Sequence, residues 1–271
     1  MVLVNGETDN SISAFDRGLN YGDGLFETMV VVENRIRFFS DHLERLQKGC
    51  EKLALNMPAH NTIESDLNKL CAAQKESTFI FKILLTRGSS GRGYLPSKEV
   101  ATTRVSSSHS FPAELSELQR DGLKVHLCDT RLSLNAALAG IKHTNRLEQV
   151  MASLERVDTK YDEGLVLSLD DYVVEGTKSN IFWQSGGEFY TPSIEHCGVA
   201  GVTRAKVIEI LENANHTVNI GEYRLTDVAS ADLVFMTNST MLIAQVRQLG
   251  KSTWSAQPLI EKFRQTLAAN E

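Results

Sequence analysis

The sequence predicts an α/β protein of two domains. Short apolar runs that end at turn signals alternate along the chain with stretches in which apolar residues recur at helical spacing. The length of 271 residues suits one large or two modest domains. Residues 106–112 are short, polar and ended by a proline, as is typical of a linker. We therefore predict a small N-terminal domain over residues 1–106, a linker over 107–112 and a large C-terminal domain over 113–271.

Within the predicted small domain, the pattern indicates strands and two helices. The dipeptide Glu33-Asn34 separates two apolar runs, which predicts a hairpin. Ser40 or Asp41 is expected to cap the helix that follows. An apolar stripe predicts a second helix near residues 63–71, and the apolar run over 79–85 predicts a buried strand.

In the predicted large domain, strands and helices continue to alternate. Residues 123–128 are predicted to form a strand, and residues 165–183 a strand-rich region that turns at Asp170-Asp171. Between them, the helical stripe consists of Leu147, Val150, Met151, Leu154 and Val157.

Composition and charge exclude several classes of function. The net charge is -6 and the Lys and Arg residues form no long run, which argues against nucleic acid as a partner. The four cysteines are scattered without Cys-x-x-Cys spacing, and no two of the seven histidines are spaced to share a helix face. We therefore expect neither a disulfide framework nor a metal. Because no stretch approaches the roughly 18 apolar residues of a membrane span, and the N-terminal apolar stretch is too short for a signal peptide, the expected compartment is the cytoplasm.

Three short stretches occur in a fixed order and together carry an amine, a carboxylate and an anion cradle. They lie at residues 139–146, 174–182 and 201–204 and contain Lys142, Glu175 and an apparent helix start. Pyridoxal 5'-phosphate needs these parts, because its aldehyde takes a lysine, its pyridine nitrogen a carboxylate and its phosphate backbone N–H groups. Taken singly, a lysine is usually a solvated surface charge. The ordered set is much stronger than its members.

These stretches resemble those of the fold type IV pyridoxal phosphate enzymes, the group that contains branched-chain aminotransferases, D-amino acid aminotransferases and 4-amino-4-deoxychorismate lyase. Residues 5–6, 16–18, 21–28, 41–46 and 231–238 resemble the same group, so the resemblance covers nearly the whole chain. It implies a fold type IV architecture, pyridoxal 5'-phosphate as cofactor, and a homodimer with its active site near the subunit interface.

The resemblance also implies roles for individual residues. Lys142 would form the Schiff base with the cofactor, and Glu175 would pair with the protonated pyridine nitrogen. The implied phosphate donors are Arg45, Val202, Thr203, Asn238 and Ser239. Taken alone, Arg45 is equally consistent with an exposed helix arginine. At 238 and 239 this chain has Asn-Ser where the aminotransferases of the group commonly have Gly-Thr.

One position distinguishes between members of the group. Aminotransferases commonly have glycine after the Phe-Glu pair, whereas this chain resembles the lyases in having Thr28. In the lyases that hydroxyl would relay a proton through water to the departing group. A strand threonine chosen for β propensity is the other interpretation of Thr28.

Two further segments favour the lyases. The Lys142 segment and the glycine-rich loop over residues 87–94 both resemble the lyase versions. The lyase substrate carries two carboxylates, and a guanidinium binds a carboxylate in a fork, so Arg92 is a predicted anchor for one of them. Tyr94 and Tyr21 are the other predicted substrate residues, and a solvated loop arginine is the other interpretation of Arg92. Residues 241–246 lack the proline common in the lyases, so the lid over the substrate is expected to differ.

The sequence therefore predicts a cytoplasmic pyridoxal phosphate lyase that converts 4-amino-4-deoxychorismate to 4-aminobenzoate and pyruvate in folate biosynthesis. A D-amino acid or branched-chain aminotransferase of the same fold is the alternative, which a glycine at position 28 would have favoured. A non-catalytic cofactor-binding protein is a third possibility, for which a missing lysine or glutamate would have been the mark. Both residues are present as Lys142 and Glu175.

Overall fold

The structure is a computed structural model that describes residues 1–97 and 100–269. Contacts divide the chain into two compact units. The first consists of residues 1–112 and 141–145, and the second of residues 113–140 and 146–271. Residue 271, the predicted end of the large domain, lies outside the described residues.

The elements alternate as the sequence pattern predicts. In the described ranges, the strands are β1 (Val2–Val4), β2 (Glu7–Thr8), β3 (Gly24–Val32), β4 (Arg35–Ile36), β5 (Thr78–Thr86), β6 (Thr103–Ser110), β7 (Leu123–Leu132), β8 (Glu163–Ser168), β9 (Val173–Gly176), β10 (Asn180–Ser185), β11 (Glu188–Pro192), β12 (Val218–Gly221), β13 (Leu233–Asn238), β14 (Leu242–Leu249) and β15 (Ser252–Thr253). The helices of the same ranges are α1 (Arg17–Tyr21), α2 (Phe39–Leu53), α3 (His60–Ala73), α4 (Leu115–Asp121), α5 (Leu147–Leu154), α6 (Val202–Asn213), α7 (Leu225–Ala229) and α8 (Pro258–Ala269).

The first unit is built on an antiparallel sheet in the order β2-β1-β6-β5-β3-β4. Strand β3 alternates between a buried face with Leu25, Glu27 and Met29 and a half-buried face with Phe26 and Thr28. Helix α2 lies against β3 and buries its apolar stripe, including Leu43 and Leu46. The period-two alternation of β3 therefore gives its two faces different environments.

The hairpin prediction is confirmed, whereas the predicted helix cap is wrong. Glu33 and Asn34 both have positive φ (49° and 65°), which matches the right-handed twist of the paired strands β3 and β4. Helix α2 begins at Phe39, after Phe38 in the left-handed region with φ of 50°. Ser40 and Asp41 therefore lie inside the first turn, where their side chains cannot serve as the cap.

The predicted linker also differs from the structure. Residues 107–110 end strand β6, which pairs with both β1 and β5. The serines that made the segment look like a linker are sheet residues, and Ser106 is fully buried, where its hydroxyl donates to Asp66 Oδ2 at 2.6 Å. A polar side chain with a buried partner fits a strand interior, and composition alone does not reveal that partner.

The second unit is built on a mixed sheet in the order β12-β11-β10-β13-β14-β7-β8-β9, with β15 added to β14. Its core includes the stacked rings of Phe182 and Phe235, 5.2 Å apart. The strand-rich middle is confirmed, and Asp171 turns the chain with φ of 59°. Residues 242–246, where a lid was expected, belong instead to β14 and are buried, because they pair with β13 and β7 in the sheet.

Helix α5 departs from the expected pattern of burial. It ends at Leu154, and its buried residue is Ala152, while the predicted apolar stripe is exposed. The exposed fractions are 76% for Leu147, 58% for Met151 and 62% for Leu154. Within the described residues, no helix has an apolar stretch as long as a membrane crossing requires.

Candidate active site

Lys142 lies in a short segment that pairs with the start of β3. The Phe26 N–H donates to the Lys142 carbonyl at 3.0 Å, and the Thr144 N–H donates to the Gly24 carbonyl at 3.0 Å. The Thr144 hydroxyl also donates to the Gly22 carbonyl at 2.6 Å. These bonds explain why residues 141–145 group with the first unit. They fix the backbone from which the lysine side chain projects.

The Lys142 side chain extends over the half-buried face of β3. Its Nζ lies 4.3 Å from the centroid of the Phe26 ring, within the range of a cation–π interaction. Thr28 follows two residues after Phe26 on β3, so its side chain projects from the same face. The structure thus brings the predicted lysine and the predicted threonine to one face of one strand.

On the opposite face of β3, the carboxylate of Glu27 is held between two basic side chains of α2. His42 Nδ1 lies 2.7 Å from Glu27 Oε2, and Arg45 Nε donates to Glu27 Oε1 at 2.8 Å. Arg45 Nη2 makes a second contact with the same carboxylate. Glu27 and His42 are each 1% exposed. Arg45, a predicted phosphate donor, is therefore anchored through Glu27 rather than exposed.

The charges of this network follow from its geometry. Burial alone would raise the pKa of Glu27, but the charge of Arg45 and the hydrogen bond from His42 outweigh it and lower that pKa to about 2. Burial lowers the pKa of His42, and the charges of Arg45 and Lys142 act in the same direction. Ionised Glu27 accepts only, so His42 donates from Nδ1 and leaves Nε2 as an acceptor. Nε2 is buried without a hydrogen-bond partner among the described residues.

In the second unit, Glu175 lies on β9 and is 4% exposed. Its Oε2 accepts the Val199 N–H at 2.8 Å, which orients the carboxylate. The loop after β9 is held by a second buried acid, Glu163, which accepts the Ser179 hydroxyl at 3.1 Å and the Thr177 hydroxyl. Sequence reasoning missed Glu163, because a lone acid before an apolar strand carries no motif.

The N-terminus of α6 fits a phosphate. Val202 and Thr203 are 5% and 1% exposed, and the helix has no side-chain cap at Gly201. The first N–H groups of a helix lack intrahelical partners and favour an anion. The Thr203 hydroxyl is buried without a hydrogen-bond partner among the described residues. A buried orphan donor at such a terminus is what a bound phosphate would satisfy, so the residues present fit the cofactor.

Two arginines lie near Glu175 in the second unit, and sequence reasoning assigned neither a role. Burial lowers the pKa of Arg204 to about 10, although Glu175 opposes that shift. Arg204 Nη2 donates to the Pro192 carbonyl at 3.0 Å. Burial also lowers the pKa of Arg146, against the opposing charge of Glu175. Positive charge near a carboxylate favours its ionised form, which is the form a protonated pyridine needs.

Asn238 is placed differently from a simple phosphate donor. Its Oδ1 accepts the Met241 N–H at 2.7 Å and the Thr240 N–H at 3.1 Å, which builds the turn between β13 and β14. Its Nδ2 donates to the Lys178 carbonyl at 3.3 Å. The Asn238 side chain is therefore occupied by the turn, and Ser239 lies half-buried beside it.

The predicted substrate residues of the first unit are only partly brought together. The Tyr21 and Tyr94 rings meet edge to face at 5.7 Å. Arg17 fixes this loop, since its Nη1 and Nη2 donate to the Gly93 and Tyr94 carbonyls at 2.8 and 2.7 Å. Arg92 lies on the same loop but is exposed. Among the described residues, no cluster of side chains could hold a metal ion.

Comparison with known proteins shows which family the chain belongs to. The profile of the aminotransferase class IV family matches residues 24–249, and the chain belongs to that family. The family depends on pyridoxal 5'-phosphate. Both the predicted fold type IV architecture and the predicted cofactor are confirmed.

Three relatives show the range of similarity. Aminodeoxychorismate lyase of Vibrio harveyi is 35% identical over 246 residues, which cover 91% of this chain and 90% of that protein. The crystal structure of 4-amino-4-deoxychorismate lyase from Pseudomonas aeruginosa is 36% identical, has a TM-score of 0.94 and covers 100% of this chain and 99% of that chain. D-alanine aminotransferase of Bacillus licheniformis is 24% identical over 266 residues, with 95% and 91% coverage.

The geometry at Gly201 leads to a prediction about cofactor affinity. A Cβ at this position would lie 2.0 Å from Asn180 Oδ1, so Gly201→Ala must displace either Asn180 or the start of α6. If this terminus binds the phosphate, we expect the dissociation constant for pyridoxal 5'-phosphate to rise about 10-fold or more, on the scale of one charge-assisted hydrogen bond. Titration of the apoprotein, followed by absorbance, measures it.

Gly91→Ala is the matched control, because a Cβ there would meet only Ser97 Oγ at 3.8 Å. Adding Asn180→Ala to Gly201→Ala removes the clashing oxygen and should recover part of the lost affinity. Unchanged affinity in Gly201→Ala would show that the α6 terminus does not bind the phosphate.

Proposed function

We propose that the protein is a pyridoxal phosphate lyase that converts 4-amino-4-deoxychorismate to 4-aminobenzoate and pyruvate, a step of folate biosynthesis. The observation that carries the proposal is the placement of Thr28 on the face of β3 over which Lys142 extends. Two relatives named as this lyase, at 35% and 36% identity over nearly the whole chain, support it.

Each residue that the sequence predicted for the cofactor has a proposed role toward pyridoxal 5'-phosphate. Lys142 would bind its aldehyde and Glu175 its pyridine nitrogen. The phosphate would be bound by Arg45, the start of α6 at Val202 and Thr203, and the turn at Asn238 and Ser239. When bound, the cofactor supplies an electron sink that stabilises negative charge on the substrate.

The chain's own residues then move the protons of the elimination. The substrate amine takes the place of Lys142 at the aldehyde, and the freed, neutral Lys142 Nζ then takes the proton from the ring carbon that bears the substrate nitrogen. The C–O bond to the enolpyruvyl group breaks, and its electron pair leaves with the oxygen. The Thr28 hydroxyl relays a proton through water to that oxygen, and the released enol becomes pyruvate. The ring becomes aromatic, which provides much of the driving force.

A D-amino acid or branched-chain aminotransferase is the second candidate. The 24% identity to D-alanine aminotransferase of Bacillus licheniformis over 95% of this chain favours it. Thr28 argues against it, because amino transfer expels no oxygen leaving group that needs a proton from that hydroxyl. Incubation of the purified protein with aminodeoxychorismate, and separately with amino and keto acids, distinguishes the two activities.

The role of Lys142 can be tested by reduction. We expect borohydride to fix the cofactor covalently on Lys142, because a lysine Schiff base is reducible to a stable amine. Digestion and mass spectrometry locate the tag. Glu175→Gln is the comparison variant: it should carry the tag at the same lysine, yet turn over slower by orders of magnitude, since the charge at the pyridine nitrogen is lost. A tag on Lys124 or Lys178 would contradict the assignment.

The role of Thr28 can be tested by removing its hydroxyl. Thr28→Val keeps the branched shape, so cofactor absorbance should be unchanged, while the lyase rate falls about 10²- to 10⁴-fold as for loss of a general acid. Thr28→Ser keeps the hydroxyl and should retain most of the rate. Formation of pyruvate and 4-aminobenzoate is the measurement, and an unchanged rate in Thr28→Val would leave the residue as packing only.

We also propose that the protein is a homodimer in the cytoplasm. The exposed apolar side chains of α5 support a partner surface, because a contiguous apolar patch on a protein surface usually marks an interaction site. The four free cysteines suit a reducing compartment.

Charge on the α5 surface should weaken the dimer. The double variant Met151→Glu with Leu154→Glu buries two carboxylates at the proposed interface, and we expect it to be a monomer by light scattering. Ile220→Glu, at a residue 53% exposed on β12, is the matched control and should remain a dimer. A double variant that stays dimeric would place the interface elsewhere.

A further inference from the structure

Lys82 shares the face of the sheet that carries Thr28. In the register of β3 and β5, Thr28 and Lys82 are directly paired, so their side chains project to the same side. Lys82 Nζ lies 5.5 Å from the centroid of the Phe26 ring, and Lys142 Nζ lies 4.3 Å from the same centroid. One ring therefore has two lysine nitrogens within 5.5 Å of its centroid.

The two lysines reach Phe26 from opposite edges of β3. Strand β5 pairs with one edge and carries Lys82, while the Phe26 N–H donates to the Lys142 carbonyl across the other edge. The Thr28 hydroxyl projects on the same side of the strand as Phe26. An amine, a hydroxyl and a second amine are thus arranged across one sheet face. Thr28 and Lys82 lie on paired strands, and Lys142 lies on the short segment that is bonded to the edge of β3.

The charge of Lys82 is not neutralised by the protein as described. Its side chain is exposed, and it makes no ion pair with a described carboxylate. Two other lysines of this unit do have polar partners: Lys48 Nζ lies 2.6 Å from Glu44 Oε1, and Lys69 Nζ donates to the Gly6 carbonyl at 2.6 Å. An anionic group of a ligand bound on this face would pair with the Lys82 ammonium.

We infer that Lys82 is a specificity-determining residue that binds the carboxylate of the substrate's enolpyruvyl group. This inference rests on the proposed lyase function. The enolpyruvyl oxygen is attached to the ring carbon next to the one that bears the amine, and Lys142 acts at the amine-bearing carbon. Thr28 relays a proton to the departing oxygen. The carboxylate of the same departing group should therefore lie next to Thr28 and bind the residue directly across from it. That residue is Lys82.

Chemistry favours Lys82 over the loop arginine for this group. Arg92 is exposed on the loop that ends near Tyr94, and neither a hydrogen bond nor a ring contact ties its side chain to the face of β3. Lys82 projects from a backbone that is hydrogen-bonded into the sheet beside Thr28, so binding has only its side-chain rotamers to order.

The test compares Lys82→Met with Lys82→Arg in the holoenzyme. Lys82→Met keeps the length of the side chain and removes its charge, so we expect KM for aminodeoxychorismate to rise about 10- to 100-fold, the scale of one charge-assisted hydrogen bond, with kcat changed much less. Lys82→Arg should recover most of the affinity. Cofactor absorbance should be unchanged in both, and Lys75→Met, at an exposed lysine beyond α3, is the matched control.

A second measurement identifies which carboxylate is bound. 4-Aminobenzoate keeps the ring carboxylate and has lost the enolpyruvyl group, so its dissociation constant should be the same for wild type and Lys82→Met. An unchanged KM in Lys82→Met, or an equal loss of affinity for 4-aminobenzoate, overturns the inference. Failure of the proposed function gives a different result, because wild type itself would then form neither pyruvate nor 4-aminobenzoate.

Discussion

The buried carboxylate of Glu27 is the interaction on which the first unit depends. It is 1% exposed and binds both Arg45 and His42 of α2, so it fixes helix to strand at one register. A buried ion pair gains little net free energy, because desolvation offsets attraction, but removing one partner leaves an uncompensated charge that costs about 3–5 kcal/mol. Glu27 therefore specifies geometry more than stability, and the geometry it specifies is that of Arg45.

The alternation of β3 explains how one strand serves two purposes. Its inward residues hold the arginine of α2, and its outward residues, Phe26 and Thr28, face the two lysines. Because successive side chains of a strand point to opposite faces, a shift of one residue in register would exchange the two sets. The nine paired positions between β3 and β5 oppose that slip. Packing and chemistry are therefore fixed by the same register.

Sequence patterns predicted local features well and partners poorly. The hairpin at Glu33-Asn34 was predictable because its residue types and spacing are local. The hydrogen bond between the buried Ser106 hydroxyl and Asp66 could not be predicted, since the two residues are 40 positions apart in the chain. The residues of the candidate site were found through motifs. Lys82 was missed, because its importance arises from pairing with Thr28 across 54 residues of chain, and a single lysine in an apolar run carries no signal of that pairing.

The choice between elimination and amino transfer depends on how rigidly one hydroxyl is held. A threonine at position 28 is well suited to a strand whatever its function, because β-branched residues favour extended backbone. The surroundings of Thr28 are what support a catalytic role. The residue is half-buried, it lies two positions after Phe26, whose ring contacts Lys142, and it pairs with Lys82 across the sheet. A glycine there would keep the sheet and lose the proton donor. Strand β3 pairs with β5 without interruption before and after Thr28. A change of residue at this position therefore requires no change of fold. One scaffold can carry both activities, as the lyase and the aminotransferase among the relatives illustrate.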